Sequence, residues 1–122
     1  TIVGAVPHAQ VKKYINQIDL FVVSSRIESF GVSVVEAAAC ERACIVSNVG
    51  GLPEVVVNNE TGFIVESDSP SAFSNALLHM IENQEQARGM GENAREFALS
   101  HYAEHLTMEI MVNMLKENMP LT

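Results

Sequence analysis

The feature that most constrains this sequence is a series of short, uninterrupted apolar runs separated by polar loops. The clearest runs occupy residues 20–23, 44–46 and 63–65, and residues 2–6 form a fourth, which ends at Pro7. Apolar runs of this length without alternation are typical of strands that are buried on both faces of a parallel sheet. The chain is therefore predicted to be an α/β domain with helices covering both faces of that sheet.

The segments between and after these runs carry apolar residues at helical spacing. Helices are predicted over residues 8–17, 30–40, 70–81, 84–100 and 103–118. No repeat, linker or low-complexity segment interrupts the series, so residues 1–122 are interpreted as one domain. Its helices from about residue 70 onward are expected to pack on the sheet and to extend at the C-terminus as a helical tail.

Composition excludes several classes of function. With 7 basic and 15 acidic residues the net charge is −8, which argues against a nucleic-acid-binding surface. Cys40 and Cys44 are too few for a disulfide framework or a metal centre, and they favour a reducing compartment. No apolar run reaches the roughly eighteen residues that a membrane-spanning helix needs. The chain starts at Thr1 rather than Met, so we expect it to be part of a longer protein.

Parallel α/β sheets bind ligands at the carboxyl ends of their strands, close to helix N-termini. Three loops follow predicted strands in this way: residues 7–8, 24–30 and 48–53. His8 and Arg26 lie in or beside them. The ordinary expectation for His8 is to cap a helix or face solvent, and for Arg26 to lie on the surface or to pair with Glu28.

The second and third loops carry the residues suited to chemistry. Glu28 lies in the loop after a strand, and Gly31 leaves the backbone open for a ligand to approach the first-turn amides, which favour phosphate. Glu36 lies farther along the same helix, where a carboxylate can accept hydrogen bonds from both hydroxyls of a ribose. Gly50 and Gly51 allow a sharp turn beside a ligand, although paired glycines also occur in turns without a ligand.

The ordered set of motifs resembles the retaining glycosyltransferases of the GT-B fold (group 1, family 4). Their signature is two glutamates separated by seven residues, which Glu28 and Glu36 match here. The preceding strand (19–24), the helical EAAAC (36–40), the GGLPE loop (50–54) and the turn and strand at 59–65 follow in the family's order. The opening GAVPH (4–8) with Tyr14 also fits. The resemblance covers nearly the whole chain and implies the Rossmann-like, C-terminal, donor-binding half of a GT-B enzyme.

The resemblance also implies roles for individual residues. Glu28 would bind hydroxyls of the donor sugar, and the backbone of Phe30, Gly31 and Val32 would contact the sugar and the diphosphate. Glu36 would hold the ribose. The strand end at Val6 and Pro7 would border the base, and the Gly50-Gly51 loop would add contacts. The family needs no metal or other cofactor, and no residue of this chain is assigned a catalytic role.

This sequence differs from the family's pattern in two ways that affect the residue roles assigned by resemblance. Glu41 and Ala43 stand where the family usually has Gly and Pro, which affects the local turn. The basic pair that clamps the diphosphate and the acceptor domain lie upstream of this segment in the family. We therefore expect the chain alone to be inactive and to need that missing N-terminal domain as its partner.

Further expectations concern partners and location. Leu106, Ile110, Met111, Met114 and Leu115 form an apolar stripe, which predicts self-association through the last helix. The parent protein is expected to be cytoplasmic, at the inner face of the membrane, in the synthesis of an envelope polysaccharide or glycolipid. A non-catalytic nucleotide- or sugar-binding module is the alternative, and it would lack any acceptor domain. A flavodoxin-like regulatory domain is disfavoured because no acidic cluster ends the first strand.

Overall fold

A computed structural model describes the backbone of residues 1–118, with side chains through residue 104 and at 106 and 108. Eight elements follow one another along these residues. In chain order they are α1 (His8–Ile15), β1 (Leu20–Val23), α2 (Val32–Ala39), β2 (Ala43–Ser47), α3 (Leu52–Val55), β3 (Gly62–Val65), α4 (Pro70–Glu82) and α5 (Gln84–Asn118). The alternation of strands and helices is the pattern that the apolar runs predicted.

The three strands form one parallel sheet in the order β1-β2-β3. Leu20 pairs with Ala43, and Cys44 pairs with Gly62, so all three strands point their carboxyl ends to the same edge. We call this edge, with the loops that leave it, the carboxyl edge. Every residue of β2 is buried because the strand lies between two neighbours and under helices on both faces. The predicted parallel α/β architecture is confirmed.

The alternating side chains of β2 divide the core into two layers. Cys44 and Val46 pack with α2, α3 and residues of α5 such as Ala94 and Ala98. On the other face, Ala43 and Ile45 pack with Met80 of α4 and with Met90. The helix α5 therefore contributes to both layers, and the sheet is covered on both sides.

The predicted strand over residues 2–6 is wrong. The structure shows no strand there; Ile2 is 98% exposed, and Gly4 has a φ of +80°. A strand forms only where a neighbouring strand supplies hydrogen-bonding partners, and the described sheet places none beside this segment. The apolar residues of this segment have the local pattern of a strand, but strand formation also requires a neighbouring strand in the folded molecule.

The start of α2 and a break within α5 are each set by the backbone angles of one residue. The second helix begins at Val32 rather than at residue 30, because Gly31 is in the left-handed region with a φ of +93°. The break predicted between residues 100 and 103 is confirmed: Tyr102 has non-helical angles (φ −129°, ψ 16°) and kinks α5. Leu106 beyond the kink packs against the core. The side chains of Ile110, Met111, Met114 and Leu115 lie outside the described residues, so self-association stays a prediction.

Candidate functional site

The loop that carries Glu28 and the glycine loop touch each other backbone to backbone. The Gly51 N–H donates a hydrogen bond to the Glu28 carbonyl at 3.3 Å. A Cβ added to Gly50 would lie 1.6 Å from that same oxygen, and one added to Gly51 would lie 2.6 Å from the Ser29 carbonyl. Only glycine permits this approach, so Gly50-Gly51 is more than a flexible turn: it lets the two loops meet at the carboxyl edge.

Gly31 directs the Glu28 loop into the N-terminus of α2. Its left-handed φ suits glycine, and an added Cβ would lie 2.9 Å from the Leu52 side chain. The N–H groups of Val34 and Val35 donate to the Gly31 carbonyl at 3.0 and 3.2 Å, which starts the helix there. The backbone from Phe30 to Val32 therefore lies at the positive end of the helix dipole, where an anionic group is stabilised.

Hydrogen bonds tie together the loops that leave the three strands. The hydroxyl of Ser47, which is fully buried at the end of β2, donates to the Ser25 carbonyl at 2.5 Å. The Asn48 N–H donates to the Val65 carbonyl at 2.8 Å. These bonds link the end of β2 to the loop after β1 and to the end of β3, which fixes the carboxyl edge as one surface.

Tyr102, at the kink of α5, contacts both the Glu28 loop and the segment that follows the glycine loop. Its ring packs against the Phe30 ring in a T-shaped arrangement with the centroids 5.6 Å apart, and its hydroxyl donates to the Glu54 carbonyl at 2.8 Å. Burial and, after it, the Glu54 carboxylate raise the pKa of the Tyr102 hydroxyl, so it stays a neutral donor. Sequence reasoning missed this residue; the break in helical periodicity around residue 102 was the available signal.

Glu36 lies in the last part of α2 and faces the start of α1. Its Oε1 is 3.6 Å from Nε2 of His8, and the two side chains are 19% and 30% exposed. Val6 and Pro7 directly precede His8, so all the residues predicted to hold the nucleotide lie at this junction of α1 and α2. No side chain caps the N-terminus of α1, so His8 does not cap its helix, and its side chain is partly exposed instead.

The other candidates take ordinary structural roles. Arg26 pairs with Asp68 at 2.7 Å on an exposed surface and not with Glu28, a contact that contributes little to stability. Burial raises the pKa of the Cys40 thiol, and it raises that of Cys44 to about 12, so both stay protonated at neutral pH and fill the core. In the part of the chain with described side chains, no three His, Cys, Asp or Glu residues form a group able to hold a metal.

Together these contacts define the class of protein. The molecule is a Rossmann-like parallel α/β domain, with glycine-dependent loops at the carboxyl edge, a helix N-terminus opening onto it and two carboxylates on the same loop-helix unit. In parallel α/β folds, glycine-rich loops and helix N-termini at this edge are where ligands with phosphate groups bind. A family model described as "Glycosyl transferases group 1" matches residues 1–97, and the chain belongs to that family.

Individual relatives agree with this assignment. A glycosyltransferase of Methanocaldococcus jannaschii with no characterised function is 35% identical over 89 residues, which are 73% of this chain and 25% of that protein. The lipopolysaccharide core biosynthesis mannosyltransferase LpcC of Rhizobium leguminosarum bv. viciae is 32% identical over 100 residues, 82% of this chain and 28% of the relative. Both are glycosyltransferases by name.

A solved structure reproduces the fold. Sucrose-phosphate synthase from Thermosynechococcus elongatus superimposes with a TM-score of 0.82 at 32% identity, over 98% of this chain and 31% of that protein. The similarity confirms the identification with the C-terminal half of the GT-B fold. The chain thus spans only a quarter to a third of the length of these relatives. None of its described helices is long and apolar enough to cross a membrane.

Proposed function

We propose that this chain is the donor-binding part of a retaining glycosyltransferase that moves a sugar from a nucleotide-sugar to a glycan or lipid-linked acceptor. The observation that carries the proposal is the close contact between the Glu28 carbonyl and the Gly50-Gly51 backbone, beside the N-terminus of α2. The loop that carries Glu28 runs directly into the positive end of α2, and Glu36 lies farther along the same helix. Family membership supports the same reading.

The proposed roles follow from the chemistry of each group. The Glu28 carboxylate accepts hydrogen bonds from hydroxyls of the donor sugar, and the backbone of Phe30, Gly31 and Val32 contacts the sugar and the diphosphate. The Glu36 carboxylate accepts from the ribose hydroxyls. Val6 and Pro7, next to His8 and hence close to Glu36, border the base. We assign no covalent step to Glu28.

The diphosphate is proposed to leave without help from a metal ion. Helix amides supply part of the stabilisation, and the family's basic pair supplies the rest from a segment outside this sequence. A net charge of −8 makes those external cations important for affinity. The acceptor domain is likewise external, so the chain alone is expected to show no sugar transfer, with or without EDTA.

The parent protein is proposed to act in the synthesis of an envelope glycan or glycolipid. The name of the Rhizobium relative places that protein in lipopolysaccharide core synthesis, which supports an envelope glycan or glycolipid as the acceptor class here. Such acceptors are assembled at the inner face of the membrane, so a cytoplasmic enzyme peripheral to that surface fits.

Ligand-observed NMR with UDP-, GDP- and ADP-sugars tests the donor site directly. The chain is expected to bind one nucleotide class, and Glu36→Ala is expected to weaken that binding at least about tenfold, since hydrogen bonds to a charged group are strong. Glu82→Ala, which removes an exposed glutamate at the end of α4, is the matched control and should bind as the parent chain does. Equal binding by the parent and Glu36→Ala would contradict the proposed ribose role.

A further inference from the structure

The contact between His8 and Glu36 joins two helices that have separate anchors. Ile15 of α1 is buried in the core, and Val11 packs against it, so the position of α1 does not depend on His8. On α2, Val35 and Ala37, the neighbours of Glu36 in sequence, are buried in the same core. The two side chains therefore extend from fixed backbones toward one another, and their 3.6 Å separation is a property of the helix packing.

The C-terminal end of α2, one turn beyond Glu36, has several charged neighbours. The thiol of Cys40 responds to Lys12, Arg42 and Arg95, which lower its pKa, and to Glu36, which raises it, while burial is the largest cause and raises it overall. These groups therefore lie around the thiol of Cys40, one turn after Glu36. His8 contacts the carboxylate from the side of α1, where residues 6 and 7 enter the helix.

We propose that His8 is a positioning residue of the ribose site: its imidazole holds the Glu36 carboxylate in the orientation that accepts the ribose hydroxyls. A long, flexible glutamate loses rotamer freedom when it binds a ligand, and a side chain already held in place loses less. His8 thereby favours ribonucleotides over 2′-deoxyribonucleotides without touching the reacting atoms.

This inference rests on the proposed ribose role of Glu36, and it predicts an effect on one hydroxyl of the ligand. The affinities of UDP, GDP and ADP are compared with those of their 2′-deoxy forms by titration calorimetry, and the ratio of dissociation constants is the ribose preference. The whole chain is expected to prefer ribose about tenfold or more for the base it binds. In His8→Ala this preference falls roughly three- to tenfold, while affinity for the deoxy form stays within twofold.

Three companion variants separate positioning from a structural effect. His8→Gln keeps an N–H donor near the carboxylate and should recover most of the ribose preference. Lys13→Ala removes an exposed cation from the same helix and should leave the preference unchanged. Glu36→Gln should lower it at least as far as His8→Ala, and His8→Ala should have no further effect in that background. A general loosening of the fold would instead weaken both forms of the ligand equally.

The outcomes distinguish this inference from the proposed function. If Glu36→Gln loses the ribose preference but His8→Ala keeps it within twofold, the donor site stands and the positioning role of His8 is overturned. If the chain binds nucleotides without preferring ribose, or binds none, the ribose site itself fails and the role of His8 with it. Without ligand, the His8 ring resonances of Glu36→Gln are expected to differ from those of the parent chain. Unchanged resonances would overturn the contact between His8 and Glu36.

Discussion

Both ends of the sheet contain left-handed backbone positions and close contacts between backbones, but different residue types occupy them. At the carboxyl edge, the left-handed positions are Gly31, Gly50 and the exposed Asp68, and of these Gly50 lies against the Glu28 carbonyl. At the opposite end, in the turn from α2 to β2, the left-handed position belongs to Glu41, with a φ of +61°. There the close approach comes from Gly91 of α5, where an added Cβ would lie 2.2 Å from the Glu41 carbonyl.

A side chain is sterically excluded at Gly50, whereas at Glu41 it is accommodated at the cost of backbone strain. In the turn, the Glu41 side chain extends into solvent toward Arg95, which also donates to the Ala39 carbonyl at 2.7 Å, so the strain of the turn is tolerated. At the carboxyl edge, any side chain at Gly50 would separate the two loops. Glycine there serves the geometry of the site, whereas its absence in the turn costs only local stability.

The largest effect is expected for Gly50→Ala. The added Cβ collides with the Glu28 carbonyl, and the residue keeps a left-handed φ of +52°, so both overpacking and backbone strain apply. The free energy of unfolding should fall by about 3–5 kcal/mol, a large part of the stability of a small domain. Urea denaturation followed by circular dichroism measures it.

Gly89→Ala is the matched control for that substitution. Gly89 is in α5, has no atom within 4 Å of an added Cβ and has no positive φ, so alanine should raise stability by up to about 1 kcal/mol. A Gly50→Ala variant as stable as Gly89→Ala would show that the two loops can separate freely, and the contact would not define the site.

The second largest effect is expected for Gly91→Ala, which tests the opposite end of the sheet. The added Cβ meets the Glu41 carbonyl but the backbone carries no left-handed strain, so stability should fall by about 2–3 kcal/mol. Because the turn is remote from the carboxyl edge, the folded variant should keep its nucleotide affinity in the NMR panel. If fully folded Gly91→Ala bound nucleotides more weakly than the parent chain, the turn at Glu41 would not be separate from the binding site at the carboxyl edge.

Tyr102 should have an intermediate effect that reaches the carboxyl edge. Tyr102→Phe removes the hydroxyl that donates to the Glu54 carbonyl and should cost about 1 kcal/mol. Tyr102→Ala also removes the ring from Phe30 and should cost about 2 kcal/mol, less than a fully buried aromatic residue. Amide shifts of residues 28–31 should change in Tyr102→Ala; unchanged shifts would mean that the kink does not support the loop.

The smallest effect is expected at Glu41 and compares two replacements. Both Glu41→Gly and Glu41→Ala remove the exposed contact with Arg95, but only glycine relieves the left-handed strain. Glu41→Gly should therefore be more stable than Glu41→Ala by about 0.5–1 kcal/mol, after the greater flexibility of glycine in the unfolded chain is counted. Thermal unfolding of the pair measures the difference, and equal midpoints would argue against strain in this turn.

The sequence was sufficient for the parts of the fold that depend on local pattern. The apolar runs of β1, β2 and β3 and the helical spacing between them determine a covered parallel sheet, and the kink near Tyr102 follows from a break in periodicity. The run at residues 2–6 has the same local character but no strand beside it, and pairing partners cannot be read from the run itself.

The site was predictable as a set of residues but not as a set of contacts. Spacing indicated Glu28 and Glu36, and the paired glycines indicated a close approach, yet nothing in the sequence shows that the approach is to the Glu28 carbonyl. The contacts of His8 with Glu36 and of Tyr102 with Phe30 join residues 28 and 72 positions apart. Such pairs arise from helix packing, which local patterns do not encode.

The most direct test of the account is to map where a nucleotide binds, using amide chemical shifts of the labelled chain titrated with UDP, GDP and ADP. The account predicts the largest changes at Gly31, Val32, Gly50 and Gly51, with little change in the turn at Glu41. Changes centred instead on the depression lined by Thr61, Asn93 and His101, between the β3 turn and α5, would contradict a donor site at the carboxyl edge.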